Sequence, residues 1–151
     1  MPTSAKGPFL LPFKGKGRYD SWKPHDLRIQ VTRLKCLCHD TEQEMLDLLS
    51  RFDQTFGPQR PAYLALHNTG TIKAIRWRRK SSTPDKQNYF EMIDSDYGLA
   101  LLRESSAPVK EVYLAFEQTR LKLNLVYALY RHEQKRLQRY LDSLSIIARI
   151  G

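Results

Sequence analysis

The sequence predicts an α+β fold in which a small antiparallel sheet packs against a long C-terminal helix. Two segments rich in β-branched and aromatic residues, Ala62 to Leu66 and Thr71 to Arg78, flank the turn residues Asn68-Thr69-Gly70. They predict a hairpin over about residues 62–78. A helical pattern without a Gly or internal Pro break then runs from Pro108 to Leu144. One or two N-terminal helices complete the predicted fold.

The predicted C-terminal helix carries two apolar stripes. The first repeats every seven positions, which keeps its members on one side of a helix: Phe116, Leu123, Tyr130, Leu137 and Leu144. The second lies roughly opposite: Leu114, Leu121, Leu125 and Ala128. The two stripes together predict a helix centre covered on both sides, by its own domain and by a second copy of the chain.

The N-terminal half gives weaker signals for secondary structure. Leu27 to Cys38 fits either a helix or a strand, and we favour a helix. Thr41 and Glu44 form a capping box that predicts the start of a separate helix, and Gly57-Pro58 predicts its end. Two further elements, a third strand and a short helix or strand, are expected at Asn88 to Ile93 and at Tyr97 to Arg103.

Length and charge limit the class of protein. A chain of 151 residues is expected to form one α+β domain, residues 24–151, preceded by a basic and partly packed arm, residues 1–23. A net charge of +9 predicts an anionic partner, with nucleic acid favoured over a membrane surface. No apolar segment is long enough to span a bilayer. Cys36 and Cys38 are poorly placed for a disulfide, so we expect a cytoplasmic protein.

The strongest local signature for nucleic-acid binding is a basic run in the second strand: Arg76, Trp77, Arg78, Arg79 and Lys80. Guanidinium groups bind phosphate with two hydrogen bonds, and an indole ring can stack on an unpaired base. Strand alternation also fits a second interpretation, in which Trp77 is a core residue and the arginines form a solvated face or pair with the acidic segment Asp40 to Asp53.

Two further groups of basic residues are candidate phosphate contacts. One lies on the C-terminal helix and steps by four, at Arg131, Lys135 and Arg139. It belongs to a predominantly basic stretch that also includes Arg120. The other lies in the N-terminal arm, at Lys14 and Lys16. The run around these two lysines lacks the residues that a Walker phosphate loop requires.

Nothing in the sequence indicates catalysis. Cys36, Cys38 and His39 offer three metal-binding side chains, but a zinc site normally needs four drawn from two separated pairs. The histidines form no motif with a serine or a carboxylate. We therefore expect a non-enzymatic protein without a metal or a cofactor.

Three short residue groups are distributed over most of the chain. They are Pro12-Phe13-Lys14-Gly15-Lys16-Gly17 followed by Trp22; Ile75-Arg76-Trp77-Arg78; and Glu117, Arg120-Leu121, Leu123-Asn124, Leu129 and Arg131-His132. Together they resemble the integrase-regulator R family of small proteins from bacterial integrative and conjugative elements. The resemblance implies a regulatory or accessory role in integrase expression or transfer, without catalysis. The chain departs from the family pattern between Trp22 and Pro61, where it is longer and carries the acidic segment.

The predicted function is therefore a regulatory or accessory protein of a conjugative element that acts on or near DNA. One alternative is a protein–protein adaptor that self-associates through the Phe116 stripe and binds an acidic protein. A second alternative is a mobilisation accessory factor that assists a relaxase.

Overall fold

The computed structural model describes residues 23–70, 72–80 and 88–151. The predicted α+β fold is confirmed, in the order α1 (Pro24–Phe56), β1 (Ala62–Thr69), β2 (Ile72–Arg79), β3 (Tyr89–Phe90), α2 (Asp96–Glu104) and α3 (Ala107–Ile150). Residues 1–22 of the predicted arm, including Lys14 and Lys16, lie outside the described residues. No helix in the described ranges has an apolar stretch sufficient to cross a lipid bilayer.

The chain divides into two compact units. The mixed unit, Thr41–Tyr127, contains the sheet, α2 and one part each of α1 and α3. The helical unit is the remainder, described for residues 23–40 and 128–151. Its core is formed by Leu27, Val31 and Leu141, with Leu137 packed against them.

Helix α1 runs unbroken through the site of the predicted capping box. The helical interpretation of Leu27 to Cys38 is confirmed, but the separate start at Thr41 is wrong. Thr41 is only 5% exposed, on the same buried stripe as Cys38 and Met45. Continuous burial of this stripe outweighs the local preference of threonine for a helix start. The predicted stop is confirmed, since Gly57 has a φ of 70°.

The sheet has the order β1-β2-β3 and is antiparallel throughout. The hairpin turn contains Gly70, whose φ of 68° favours glycine. Strand β3 is shorter than predicted, because only Tyr89 and Phe90 pair with β2. The segment at Tyr97 to Arg103, left open between helix and strand, is the helix α2.

The inner face of the sheet supplies the core of the mixed unit. Ile75 and Trp77 have no exposed surface, which confirms the predicted sidedness of β2. The ring of Phe52 meets the Trp77 ring edge to face, with centroids 5.3 Å apart, and meets the Phe116 ring in the same way at 5.2 Å. Aromatic pairs of this geometry stabilise the fold by more than the burial of their apolar area alone would. The core therefore joins α1, the sheet and α3 within the mixed unit.

A polar network fixes β2 to α3. Strand β3 does not reach Ile75, and the side chain of Asn124 takes the place of the missing strand. Its Oδ1 accepts from the Ile75 N–H at 2.8 Å, and its Nδ2 donates to the Ile75 carbonyl at 2.9 Å. Arg120 Nη1 donates to the same carbonyl at 3.0 Å. The amide of Asn124 thus satisfies the Ile75 N–H and shares the Ile75 carbonyl with Arg120.

The same network contains a buried ion pair. Arg120 donates from Nε and Nη2 to the carboxylate of Glu117, at 2.7 and 3.0 Å. The indole Nε1 of Trp77 donates to Glu117 Oε1 at 2.7 Å, and Glu91 lies 3.4 Å from Arg120 Nη2. Both charges of the pair are therefore hydrogen-bonded, which a buried ion pair requires.

The two stripes of α3 have different environments. The first packs inside the chain: Phe116 lies against Phe52, and Leu123 is 5% exposed. The second stripe is exposed in the single chain, with Leu125 at 59%, so its cover by a second copy of the chain stays a prediction. Seven-residue spacing alone does not distinguish an intramolecular contact from an interface between copies.

The network predicts a specific loss of stability in Asn124→Leu. Leucine cannot accept from the buried N–H of Ile75, and an unsatisfied buried group costs about 1–3 kcal/mol. Urea denaturation should show this loss in the free energy of unfolding. Leu125→Ala, at the exposed neighbour, is the control and should stay within about 0.5 kcal/mol of the wild type. Equal changes in the two variants would contradict the structural role of Asn124.

The environment of Tyr113 predicts that the free energy of unfolding decreases at alkaline pH. Its ring stacks on Phe56 with centroids 4.6 Å apart. Burial raises the pKa of its hydroxyl above 10.0, and Tyr97 raises it further, whereas Arg60 lowers it. The unfolded chain therefore loses this proton first, so the stabilising contribution is present below pH 10.0 and is lost as the pH rises through the folded pKa.

Tyr113→Phe removes this proton. Urea unfolding at about pH 8 and about pH 11 should show a smaller decline in the free energy of unfolding for the variant than for the wild type. Identical declines in the two proteins would show that Tyr113 does not contribute.

Candidate nucleic-acid interface

The outer face of the sheet carries arginines and tyrosines in adjacent strands. Because Ile75 and Trp77 point inward, their neighbours on β2 point outward. Arg78 pairs across the sheet with Tyr63 of β1 on one side and with Tyr89 of β3 on the other. We call this surface the Arg–Tyr face, and it consists of Tyr63, His67, Arg76, Arg78 and Tyr89.

Both arginines of the Arg–Tyr face lie over aromatic rings. The Cζ atom of Arg76 is 4.2 Å from the centroid of Tyr89. That of Arg78 is 5.2 Å from Tyr89 and 5.8 Å from Tyr63. Contact between a guanidinium face and a ring is attractive and leaves the N–H groups at the guanidinium edge available for hydrogen bonds. The rings therefore hold the two cations in place without neutralising them.

A hydrogen bond orients the ring that both arginines share. His67 Nδ1 and the hydroxyl of Tyr89 are 3.1 Å apart, and the two rings meet edge to face with centroids 5.3 Å apart. Both side chains are half-buried. The ring of Tyr89 is thus held from β1 as well as from its own strand, which gives the two guanidinium groups a fixed support.

No described carboxylate neutralises the Arg–Tyr face. Among residues 23–70, 72–80 and 88–151, ion pairs are found at Arg60, Lys73 and Arg120 and none at Arg76 or Arg78. Within the same ranges the Nε–H of Arg78 is buried and has no hydrogen-bond partner. The acidic segment of α1 pairs with Lys73, through Glu42 at 2.9 Å, and not with the strand arginines. The Arg–Tyr face therefore keeps its positive charge against the described residues.

The structure separates the remaining residues of the basic run. Arg79 lies over the ring of Tyr97 in α2, with its Cζ 5.1 Å from the centroid, and is exposed. By strand alternation it points away from Arg78. Lys80 Nζ donates to the carbonyl of Pro58 at 2.5 Å. Arg76 and Arg78 thus form one surface, which Arg79 does not share.

The stacking role predicted for Trp77 is wrong in this structure. Its ring has no exposed surface, and its indole N–H is occupied by Glu117. The core interpretation of this residue is the one that the structure supports. The physical reason is the pleat of β2, which directs Trp77 into the aromatic core.

The basic residues of α3 lie in the helical unit. Lys135 and Arg139 are exposed, and Arg131 is half-buried, with its Nη1 donating to Gln134 at 3.2 Å. Arg120 does not belong to this surface, because it is buried in the network with Glu117. The predicted basic stretch is therefore shorter than the sequence indicates. The acidic residue within this basic stretch, Glu133, is half-buried. Burial raises the pKa of its carboxyl, while Arg136 and His132 lower it.

Sequence reasoning missed three members of the Arg–Tyr face: Tyr63, His67 and Tyr89. Tyr63 and His67 occupy outward positions of β1, opposite Arg78 and Ala74. The alternation of β1 could have shown that they share a face with Arg76. A third strand was expected at Asn88 to Ile93, but the register that places Tyr89 beside Arg78 had no such signal, because β3 is two residues long.

Comparisons with known proteins give no relative for this chain. No family model matches it, and neither a curated protein nor a solved structure does. In the part of the chain that the structure describes, no three His, Cys, Asp or Glu side chains cluster closely enough to hold a metal ion. The geometry of the Arg–Tyr face is therefore the basis of the proposed function.

Proposed function

We propose that this protein is a non-enzymatic accessory protein that binds nucleic acid, with DNA favoured, through the Arg–Tyr face. The observation that carries the proposal is the pair of guanidinium groups, Arg76 and Arg78, held over Tyr89 without a described carboxylate partner. The resemblance to integrase regulators stays a prediction and supplies the proposed setting, which is the control of integrase expression or transfer in a conjugative element.

Phosphate is the group that this geometry suits best. A guanidinium that is already oriented by a ring loses less conformational freedom when it binds an anion. Two such groups on alternate positions of one strand present N–H donors side by side. Contacts of this type position a protein on a nucleic-acid backbone without reading its sequence.

The overall charge and a second basic surface support the same function. The chain has 25 Lys and Arg against 16 Asp and Glu, which favours association with a polyanion. Arg79 and Lys80, and the exposed Lys135 and Arg139 of α3 with Arg131, are proposed as secondary phosphate contacts. Neither Cys36 nor Cys38 forms a disulfide, in keeping with the cytoplasmic location that this function requires.

One observation favours the adaptor as a second candidate. The exposed stripe of α3 in the mixed unit includes Leu114, Leu121 and Leu125, at 36%, 45% and 59% exposure. Contiguous exposed apolar side chains often mark a protein interface. The Phe116 side chain is not available for this role, because it packs against Phe52 and Phe56. A mobilisation factor that assists a relaxase would combine the two proposals.

Nucleic-acid binding is tested by fluorescence anisotropy with labelled DNA across a salt series. We expect sub-micromolar binding at low salt that weakens steeply as salt is added. Arg76→Gln with Arg78→Gln should weaken binding at least about tenfold and reduce the magnitude of the salt slope by about two, since two phosphate contacts are lost.

The matched control is Arg103→Gln with Lys110→Gln, which removes two exposed charges of the mixed unit outside the face. It should bind almost as well as the wild type. An equal loss in the control would show that only net charge matters. No binding at low salt would contradict the proposed function itself.

The adaptor alternative predicts self-association through α3. Light scattering would then show a dimer that Leu121→Glu converts into monomers, because a buried charge without a partner disfavours the interface. Glu111→Gln, at an exposed polar position of the same helix, is the control. A wild-type monomer at every concentration measured would contradict self-association.

A further inference from the structure

We infer that the Arg–Tyr face binds single-stranded nucleic acid in preference to a duplex, with an unpaired base stacked on the guanidinium of Arg76. This inference rests on the proposed function and specifies its ligand. The proposed function and the single-strand preference make different predictions, because phosphate contacts alone would bind a duplex as well as a single strand.

A guanidinium group already lies against an aromatic ring in this face. Arg76 lies closest to a ring, with its Cζ 4.2 Å from the centroid of Tyr89, and it is half-buried. The ring of Tyr89 lies on one side of this guanidinium group, and the proposed base would lie on the opposite side. Unpaired bases stack on guanidinium planes as they do on aromatic rings. A base placed there would extend the order Tyr89, Arg76, base.

The shape of the Arg–Tyr face also favours a single strand. Reading a duplex through its major groove requires a helix or a two-stranded ribbon that enters the groove. The Arg–Tyr face instead lies on the broad side of the sheet, with both arginines on the middle strand and β3 beside Arg78. The bases of a duplex are paired and stacked on one another, so this surface would reach only the phosphates of a duplex. A single strand can offer both phosphates and base planes.

The side chains at the neighbouring outward positions favour a single strand as well. By alternation, the outward positions of β1 and β2 carry no acidic residue: Tyr63, Ala65, His67, Thr69, Ile72, Ala74, Arg76 and Arg78. Ile72 is 52% exposed, and the two alanines leave room beside the arginines. Flat, cationic and partly apolar surfaces of this kind suit a backbone with unstacked bases. Arg78, beside Tyr63 and Tyr89, would contact the adjacent phosphate.

The test compares a labelled single strand of thymidines with a duplex of the same length at matched salt. The wild-type protein should bind the single strand at least about tenfold more tightly, since stacking adds to the phosphate contacts. A single strand of uridines is the third ligand. Tighter binding of either single strand than of the duplex supports the inference, and the preferred sugar identifies DNA or RNA as the source.

The informative variant is Arg76→Lys, which keeps the charge and removes the planar group. Its affinity for the single strand should fall about tenfold, clearly more than its affinity for the duplex, while its salt slope should change little because lysine keeps the charge. Arg103→Lys is the matched control and should alter neither affinity. Circular dichroism confirms that each variant is folded. A second pair, Tyr89→Leu and Tyr89→Phe, tests the platform, because only phenylalanine keeps the ring.

The outcomes separate the inference from the proposed function. Equal affinities for the single strand and the duplex, or full single-strand binding by Arg76→Lys and Tyr89→Leu, would overturn the single-strand preference and leave phosphate binding in place. No binding of any of the three ligands at low salt would overturn both.

Discussion

The contact between Asn124 and the backbone of Ile75 is the interaction on which the mixed unit depends. Strand β3 ends before it can pair with Ile75, so β2 would have an unsatisfied edge inside the core. The amide of Asn124 supplies a donor and an acceptor at that position, and Arg120 adds a second donor. This arrangement fixes which residues of β2 face inward. Because Ile75 and Trp77 are held against α3, Arg76 and Arg78 must face outward.

The basic residues of the mixed unit fall into two groups, those held in ion pairs and those whose charge is not neutralised by a described carboxylate. Arg120 is buried with Glu117, Lys73 pairs with Glu42, and Arg60 pairs with Asp53. The strand arginines are held by rings instead, which keeps their charge accessible to a ligand. Members of two of the three residue groups that carry the expected family resemblance meet in the polar network between β2 and α3, namely Ile75, Trp77, Glu117, Arg120 and Asn124. Their contacts in this chain fix the sheet to α3.

Local patterns predicted the hairpin, the sidedness of β2 and the long C-terminal helix, because each depends on neighbours in sequence. Features that depend on distant residues were missed. Thr41 looked like a helix start, but packing within the mixed unit buries it as part of α1. Arg120 looked like a phosphate contact until its position beside Glu117 and Ile75 was known. The Arg–Tyr face itself depends on cross-strand register, which places Tyr63 and Tyr89 beside Arg78 and which the spacing within one strand does not reveal.

The most direct test of the Arg–Tyr face is an NMR titration of the isotope-labelled full chain with a short single strand of thymidines. The largest changes should occur at the guanidinium signals of Arg76 and Arg78 and at the ring of Tyr89, while Arg120 should change little because it is buried. Smaller changes are expected on α3 at Lys135 and Arg139. Binding that perturbs α3 alone, with the signals of the three strands unchanged, would contradict the assignment of this face as the nucleic-acid interface.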